Sequence, residues 1–463
     1  MRSALAILIL LALPLSPARA DKPTHYATLL ARECDDLIAA AIKRPYGWGW
    51  TELDAPADPK PLPAGRIAIS LEPANTPSAG LLLLYAADLL HQPRYAEAAR
   101  NVARGVAASQ QPSGKFPSQA LFGNTAASFK EPAAPLPDRA STRACLALLL
   151  SLTDADPDKQ SEAIGRSAAR GAQWLLRQQT DPGGWPTTYP PGASPQDSTR
   201  VVRLDTADFR DSLLAMLLAY EVLGDPFQRR SAERSVEFLT KVRSGAGLEI
   251  GAGLWGPAYT LSALPAEKSL GFPAGYDTLA SRYSMQSLFG VWVILGDGQR
   301  LIAADLAARS IQDLVKNDDG HWHRRFDTRG VATDIPEAAT RKAPSTFGPA
   351  EPDEAANLSD PGLATASETV ALAKESGREK FRERLMADAP LKQHLAQVVS
   401  GLSEELMVPD FPTAPDQVAG YLKQHEAQFR LIDGGGSGTG LAGKVARIWA
   451  IYLRAKVENR FGI

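Results

Sequence analysis

Cysteine is almost missing from this chain of 463 residues. Only Cys34 and Cys145 occur, far apart in sequence. A disulfide framework is therefore excluded, and a single bridge or two buried thiols remain open. An excess of one charge is missing too. The formal net charge is −2, which argues against a nucleic-acid partner. Beyond the first twenty residues no apolar run is long enough to span a membrane, and β-branched runs are few. What stabilises the chain must be an apolar core built from Ala- and Leu-rich helices.

Residues 1–20 have the form of a secretory signal. Arg2 supplies the positive start, "ALAILILLALPL" the short apolar region, and "ARA" ending at Ala20 the small residues of a cleavage site. A secreted or periplasmic, soluble and monomeric protein is expected, with one domain over residues 21–463.

Apolar residues recur at helical spacing, as in "LLLLYAADLL" and "SLLAMLLAYEVL". An amphipathic helix, a Gly/aromatic loop, a more apolar helix and a short turn follow one another about every 70 residues. The long loops are "PYGWGW", "PSGKFPS", "DPGGWPTTYP", "GAGLWGPAY" and "DDGHWHRRFD"; the short turns are "HQP", "GDP" and "GDG". Outer helices are expected to start near Tyr26, Arg94, Gln160, Gln228 and Gln299, with a sixth between Phe381 and Gln428. Inner helices are expected near Thr76, Asp138, Asp205, Ser281, Asp360 and Gly440. The fold class predicted is all-α: an (α/α)6-type toroid, complete or short of a helix, with its long loops on one face. Residues 329–361, rich in Pro, Ala and Glu, read as an excursion over that face.

A face built of long loops on a rigid scaffold is where a site belongs. Asp205 and Asp208 lie three apart at an inner-helix start and suit a shared cation, acid–base work, or simple capping. Trp185 and Trp255 offer faces for sugar stacking or plugs between helix ends. Tyr189 can transfer a proton. Arg282 and Arg139 open inner helices and suit a carboxylate. His321 and His323, beside Arg324 and Arg325, suit a base or an anion site better than a metal. "GSGTGLAGKV" is not a phosphate loop, because Val445 follows the lysine where Ser or Thr is needed.

The stretch "QWLLRQQTDPGGWPTTYP", followed after a spacer by "LDTADFRDSLLAMLLA", resembles the pectate lyases of polysaccharide lyase family ten. "AYTLSALPAEK" and "GYDTLASRYSMQSLFGVWVIL" are similar to the next part of that family. The resemblance implies calcium-assisted β-elimination on an acidic polysaccharide. Asp205 or Asp208 would hold calcium, and an arginine would serve as base, with Arg282, Arg325 and Tyr189 as the candidate catalytic groups. The acid usual in that family before "TL" is absent here, where "GLWGPAYTL" carries Tyr259. Two alternatives stay open. One is a glycan-binding toroid without chemistry. The other is a glycoside hydrolase using Asp205 or Asp208 with Asp277, which needs carboxylates about 5 to 9 Å apart.

Overall fold

A computed structural model of the chain describes residues 25–51, 65–129, 139–153, 159–189, 199–243, 253–266, 275–312, 314, 322–327, 331–332, 361–387, 389–403, 411–412, 414–433 and 440–462. The signal-like segment lies outside the described residues. So does the excursion at 329–361, apart from residues 331, 332 and 361.

The protein is an α/α toroid. Helix α1 (His25–Ala39) is outer. Four hairpins follow, each an inner helix joined to an outer one: α2 (Thr76–Leu89) with α3 (Pro93–Ala108), α4 (Arg139–Thr153) with α5 (Lys159–Arg177), α6 (Ala207–Leu223) with α7 (Pro226–Val242), and α8 (Thr278–Leu295) with α9 (Gly298–Gln312). Next come α10 (Pro361–Ser376), α11 (Arg378–Leu385), α12 (Leu391–Val399), α13 (Val418–Gln424), α14 (Glu426–Phe429) and α15 (Gly440–Phe461). Neighbouring inner helices pack in the order α15, α2, α4, α6, α8, α10, and α15 also packs against α1, which brings the first and last described helices together. Inner helices are apolar nearly all round because they are covered on both sides; α8 is buried from Ser284 through Ile294 without a break.

The region expected to give a sixth outer helix does something else. Helix α11 lies over the end of α8, where Arg378 donates to the carbonyls of Trp292, Val293 and Ile294. Helix α12 packs against α4 and α6. The carbonyl of its C-cap, Ser400, accepts from Ala74 N and Ser78 Oγ at the start of α2, and Gln393 donates to the Tyr452 hydroxyl of α15. An element reaching four inner helices lies within their ring. It therefore occupies part of the lumen.

On the long-loop rim, neighbouring loops are stitched together by short antiparallel strands. The strands are β1 (Ile42–Arg44), β2 (Gly47–Gly49), β3 (Ile67–Ser70), β4 (Gln119–Phe122), β5 (Ala127–Phe129), β6 (Thr187–Tyr189), β7 (Thr199–Arg203), β8 (Ala258–Tyr259), β9 (Gly275–Asp277) and β10 (Arg325–Asp327). Pairing runs β1–β2, β3–β4–β5, β6–β7–β8 and β9–β10, with Val202 opposite Tyr259 and Tyr276 opposite Phe326. Each loop also leans on the next outer helix. Gln110 donates to Gly114 O and across to Ser167 O; Gln179 donates to Gly183 O and across to Ser231 O. Gly183 has φ 101°, and a Cβ there would stand 2.1 Å from the Arg234 carbonyl oxygen. Gly183→Ala is expected to lower the unfolding free energy by about 1–3 kcal/mol, measured by urea denaturation, since both the backbone and the contact are denied to it.

Cys34 and Cys145 are separate buried thiols, and burial pushes the Cys34 thiol up to about 12. Among the described residues no helix is long and apolar enough to cross a membrane.

Candidate active site

The long-loop aromatics belong to the scaffold. The indole Nε1 of Trp50, Trp185 and Trp255 donates to Leu37, Leu175 and Leu239 O at 2.9, 3.1 and 2.9 Å, closing the last turn of the preceding outer helix. The amides of Trp50, Phe116 and Trp255 donate to Thr76, Thr142 and Ser281 in the first turn of the following inner helix. Trp185 is 1% exposed and Trp255 0%. Neither ring has a face left for a sugar, which corrects their reading as stacking residues. Trp185→Phe keeps most of the packing but removes the indole bond to the Leu175 carbonyl, which is left with the Gln178 amide alone. A loss of about 1–2 kcal/mol is expected in thermal unfolding, with glycan affinity unchanged.

Asp208 sits in the first turn of α6 and faces α4. Arg139 and Arg143 both bind its carboxylate; Arg139 Nε lies 3.3 Å from Oδ1, and Arg143 also reaches Ser212 Oγ at 3.1 Å. Burial would raise the Asp208 carboxyl, but the two guanidinium groups outweigh it and hold the group well below the usual carboxylate range. Arg139 donates its remaining reach to Pro186 O at 2.7 Å. It is thus a strut between α6 and the "GGWP" loop, not a free substrate-binding arm. Further round the rim, Arg210 donates to Asp211 and to Gln286 at 2.8 and 2.7 Å and lies over the Tyr283 ring, which Arg282 also approaches. Arg282 itself is 6% exposed.

A second cluster joins the starts of α6 and α8. Asp205 is held by Arg203, two residues earlier on β7, through hydrogen bonds of 2.8 and 2.6 Å. Asp277 ends β9 and caps α8: its Oδ1 accepts from Ala280 N at 2.9 Å. Its Oδ2 is buried with no hydrogen-bond partner. Arg324 stands between the two acids, 3.8 Å from Asp205 and 3.7 Å from Asp277, and Arg325 lies 3.6 Å from Asp277. Burial is the largest influence on the Asp277 carboxyl and raises it. Arg324 and Arg325 pull it down, Asp205 pushes it up, and the result is a raised pKa.

These contacts bear on a cation shared by Asp205 and Asp208. Asp205 and Asp208 turn to different arginines, and each has both oxygens engaged by a guanidinium group. Among the described residues no three His, Cys, Asp or Glu side chains gather as a metal site. The donors do not fit a cation between these two residues. Tyr189 ends β6, with its side chain outside the described residues, as is all of His321. His323 is half-buried and packs edge-on against Phe326. Arg325 is 3% exposed and serves Asp277. Arg203 had no sequence signal beyond its place two residues before Asp205, the spacing that puts two strand side chains on one face.

No protein-family model matches the chain and no curated protein does. Among solved structures, an unsaturated glucuronyl hydrolase from Bacillus sp. GL1, described as responsible for the degradation of glycosaminoglycan, is similar over 95% of this chain and 96% of its own, at 13% identity and a TM-score of 0.42. A family 76 α-mannanase from Bacteroides thetaiotaomicron covers 94% of this chain and 96% of its own, at 11% identity and a TM-score of 0.43. A cold-adapted family 8 xylanase covers 94% and 92%, at 11% identity and a TM-score of 0.41.

The resemblance to family-ten pectate lyases is therefore corrected. No family model supports it. The residues that carried it are shared scaffold: Gln179, Gly183 and Trp185 make the bonds that Gln110, Gly114, Trp50 and Trp255 make elsewhere in the ring.

Proposed function

We propose that this chain is a glycan-active toroid, a glycoside hydrolase with Asp277 as general acid and Asp205 as its carboxylate partner. One observation carries the reading: a buried aspartate with a raised pKa and an unpartnered oxygen shares an arginine with a second aspartate at the adjoining helix start. A hydrolase needs one carboxyl that keeps its proton and a second that gives one up or stabilises positive charge. The surroundings of the two acids differ: Asp277 lacks a hydrogen-bonded cation, whereas Asp205 accepts two bonds from Arg203. Arg324, 27% exposed on this rim, supports an acidic polysaccharide as substrate. Export, as residues 1–20 suggest, is part of the same proposal.

The test is product chemistry on pectate, alginate and glycosaminoglycans. Release of reducing ends without the ultraviolet absorbance of an unsaturated sugar is the expected result. No release on any of them would sink the hydrolase. The burial of both acids, 4% and 1% exposed, favours one second reading, a glycan-binding toroid without chemistry. It predicts retention of the same polymers with no products.

A further inference from the structure

We propose that Arg324 is the residue that pairs with the carboxylate of an acidic sugar, and so determines specificity. The proposal rests on the hydrolase reading of the Asp205/Asp277 site and adds the group that would select its substrate.

Four neighbouring arginines of the rim are committed. Arg139 and Arg143 hold Asp208, Arg203 holds Asp205, and Arg210 holds Asp211 and Gln286. Arg325 is almost wholly buried. Arg324 differs in three ways. Its side chain is 27% exposed, so one edge faces solvent on the long-loop rim. Its ion pairs, at 3.7 and 3.8 Å, are too long to be hydrogen bonds, and its Nε has no hydrogen-bond partner. Its backbone is nevertheless fixed, because the Arg324 carbonyl accepts from the Thr278 amide and hydroxyl at 2.9 and 3.1 Å. A guanidinium group is thus held in place by its main chain while its donors remain underused.

The charge balance points the same way. Arg203, Arg324 and Arg325 face Asp205 and Asp277, so among the described residues the ion pairs of this cluster set three cations against two anions. A planar anion arriving at Arg324 would restore neutrality and receive two parallel N–H bonds, which the present aspartates do not receive from it. The planar fork matches a carboxylate better than a point-like ammonium would, and places the acidic ring beside Asp277.

Calorimetric titration with trimers of galacturonate, glucuronate and mannuronate, and with their carboxyl-reduced counterparts, tests this. Wild-type protein is expected to bind at least one acidic trimer about tenfold or more tightly than its reduced form. Arg324→Gln should lose that preference while leaving the reduced trimer's affinity unchanged, and Arg324→Lys should recover part of it. Thermal melting of both variants separates loss of pairing from loss of fold; if the glutamine variant unfolds, the lysine variant carries the test. Absence of any acidic preference in the wild type, or a preference that survives in the variants, overturns the proposal. Affinity for sulfated but not carboxylated trimers overturns it as well. The hydrolase reading fails separately, if no sugar is released or if Asp277→Asn keeps full turnover, whatever Arg324 does to binding.

Discussion

Asp277→Asn is expected to stop glycan hydrolysis, with turnover falling about 10²- to 10⁴-fold while the fold persists. Asparagine keeps an oxygen for the Ala280 amide, so the cap of α8 survives. What it cannot do is hold and deliver a proton from Oδ2. A loss in kcat at unchanged oligosaccharide affinity is the expected pattern, and unchanged turnover would remove Asp277 from the mechanism. The fold should shift by no more than about 1 kcal/mol. The pH dependence of that difference has a definite sign. Asp277 has a raised pKa in the folded protein. Its protonated form therefore contributes stability that is complete below the ordinary aspartate value, roughly pH 4, and is lost as pH rises through the raised one. Urea denaturation should show wild type losing ground to the asparagine variant as pH increases across that window.

Asp208→Ala should be the most damaging single change to stability, about 3–5 kcal/mol. The two arginines that hold Asp208, Arg139 and Arg143, are 5% and 6% exposed at the side chain. Removing the carboxylate leaves two desolvated cations side by side without their counter-ion. Because Asp208 is held below the usual carboxylate range, its contribution has the opposite sign to that of Asp277. It is present above roughly pH 4 and is lost as pH falls toward the depressed value. Denaturation at neutral pH and in acid checks both parts; a variant as stable as wild type at pH 7 would show that the triad contributes nothing net. Asp208→Asn, which keeps an acceptor but not the charge, should fall between the two.

The helical hairpins were legible because burial imposes a period on sequence. Thr76, Gly440 and Arg139 stand at or beside the expected starts of inner helices, and α3, α5, α7 and α9 begin within two residues of theirs. The roles of the loop aromatics were not legible. Trp185 as a sugar platform and Trp185 as a plug require the same residue in the same loop. Only its bond to Leu175 O and its burial distinguish them. The family likeness misled for a related reason: Gln179 and Trp185 repeat scaffold bonds that Gln110, Trp50 and Trp255 make at other hairpin junctions.

The acids show the same limit more sharply. Asp205 and Asp208 are close in sequence, and their spacing suggested one shared site. Three residues at a helix start, however, point Asp208 back toward α4 while Asp205 stays with β7 and meets Asp277 on β9, 72 positions away (277 − 205). Local pattern alone determined that the chain is a ring of helical hairpins with its long loops on one rim, since hydrophobic period and turn residues are properties of neighbours in sequence. The tertiary structure decided that α12 joins four inner helices, that Trp185 and Trp255 are sealed, and that Asp277 rather than Asp208 has an oxygen without a hydrogen bond. Those outcomes depend on which arginine reaches which carboxylate across helices, and that is fixed by packing between elements far apart in the chain.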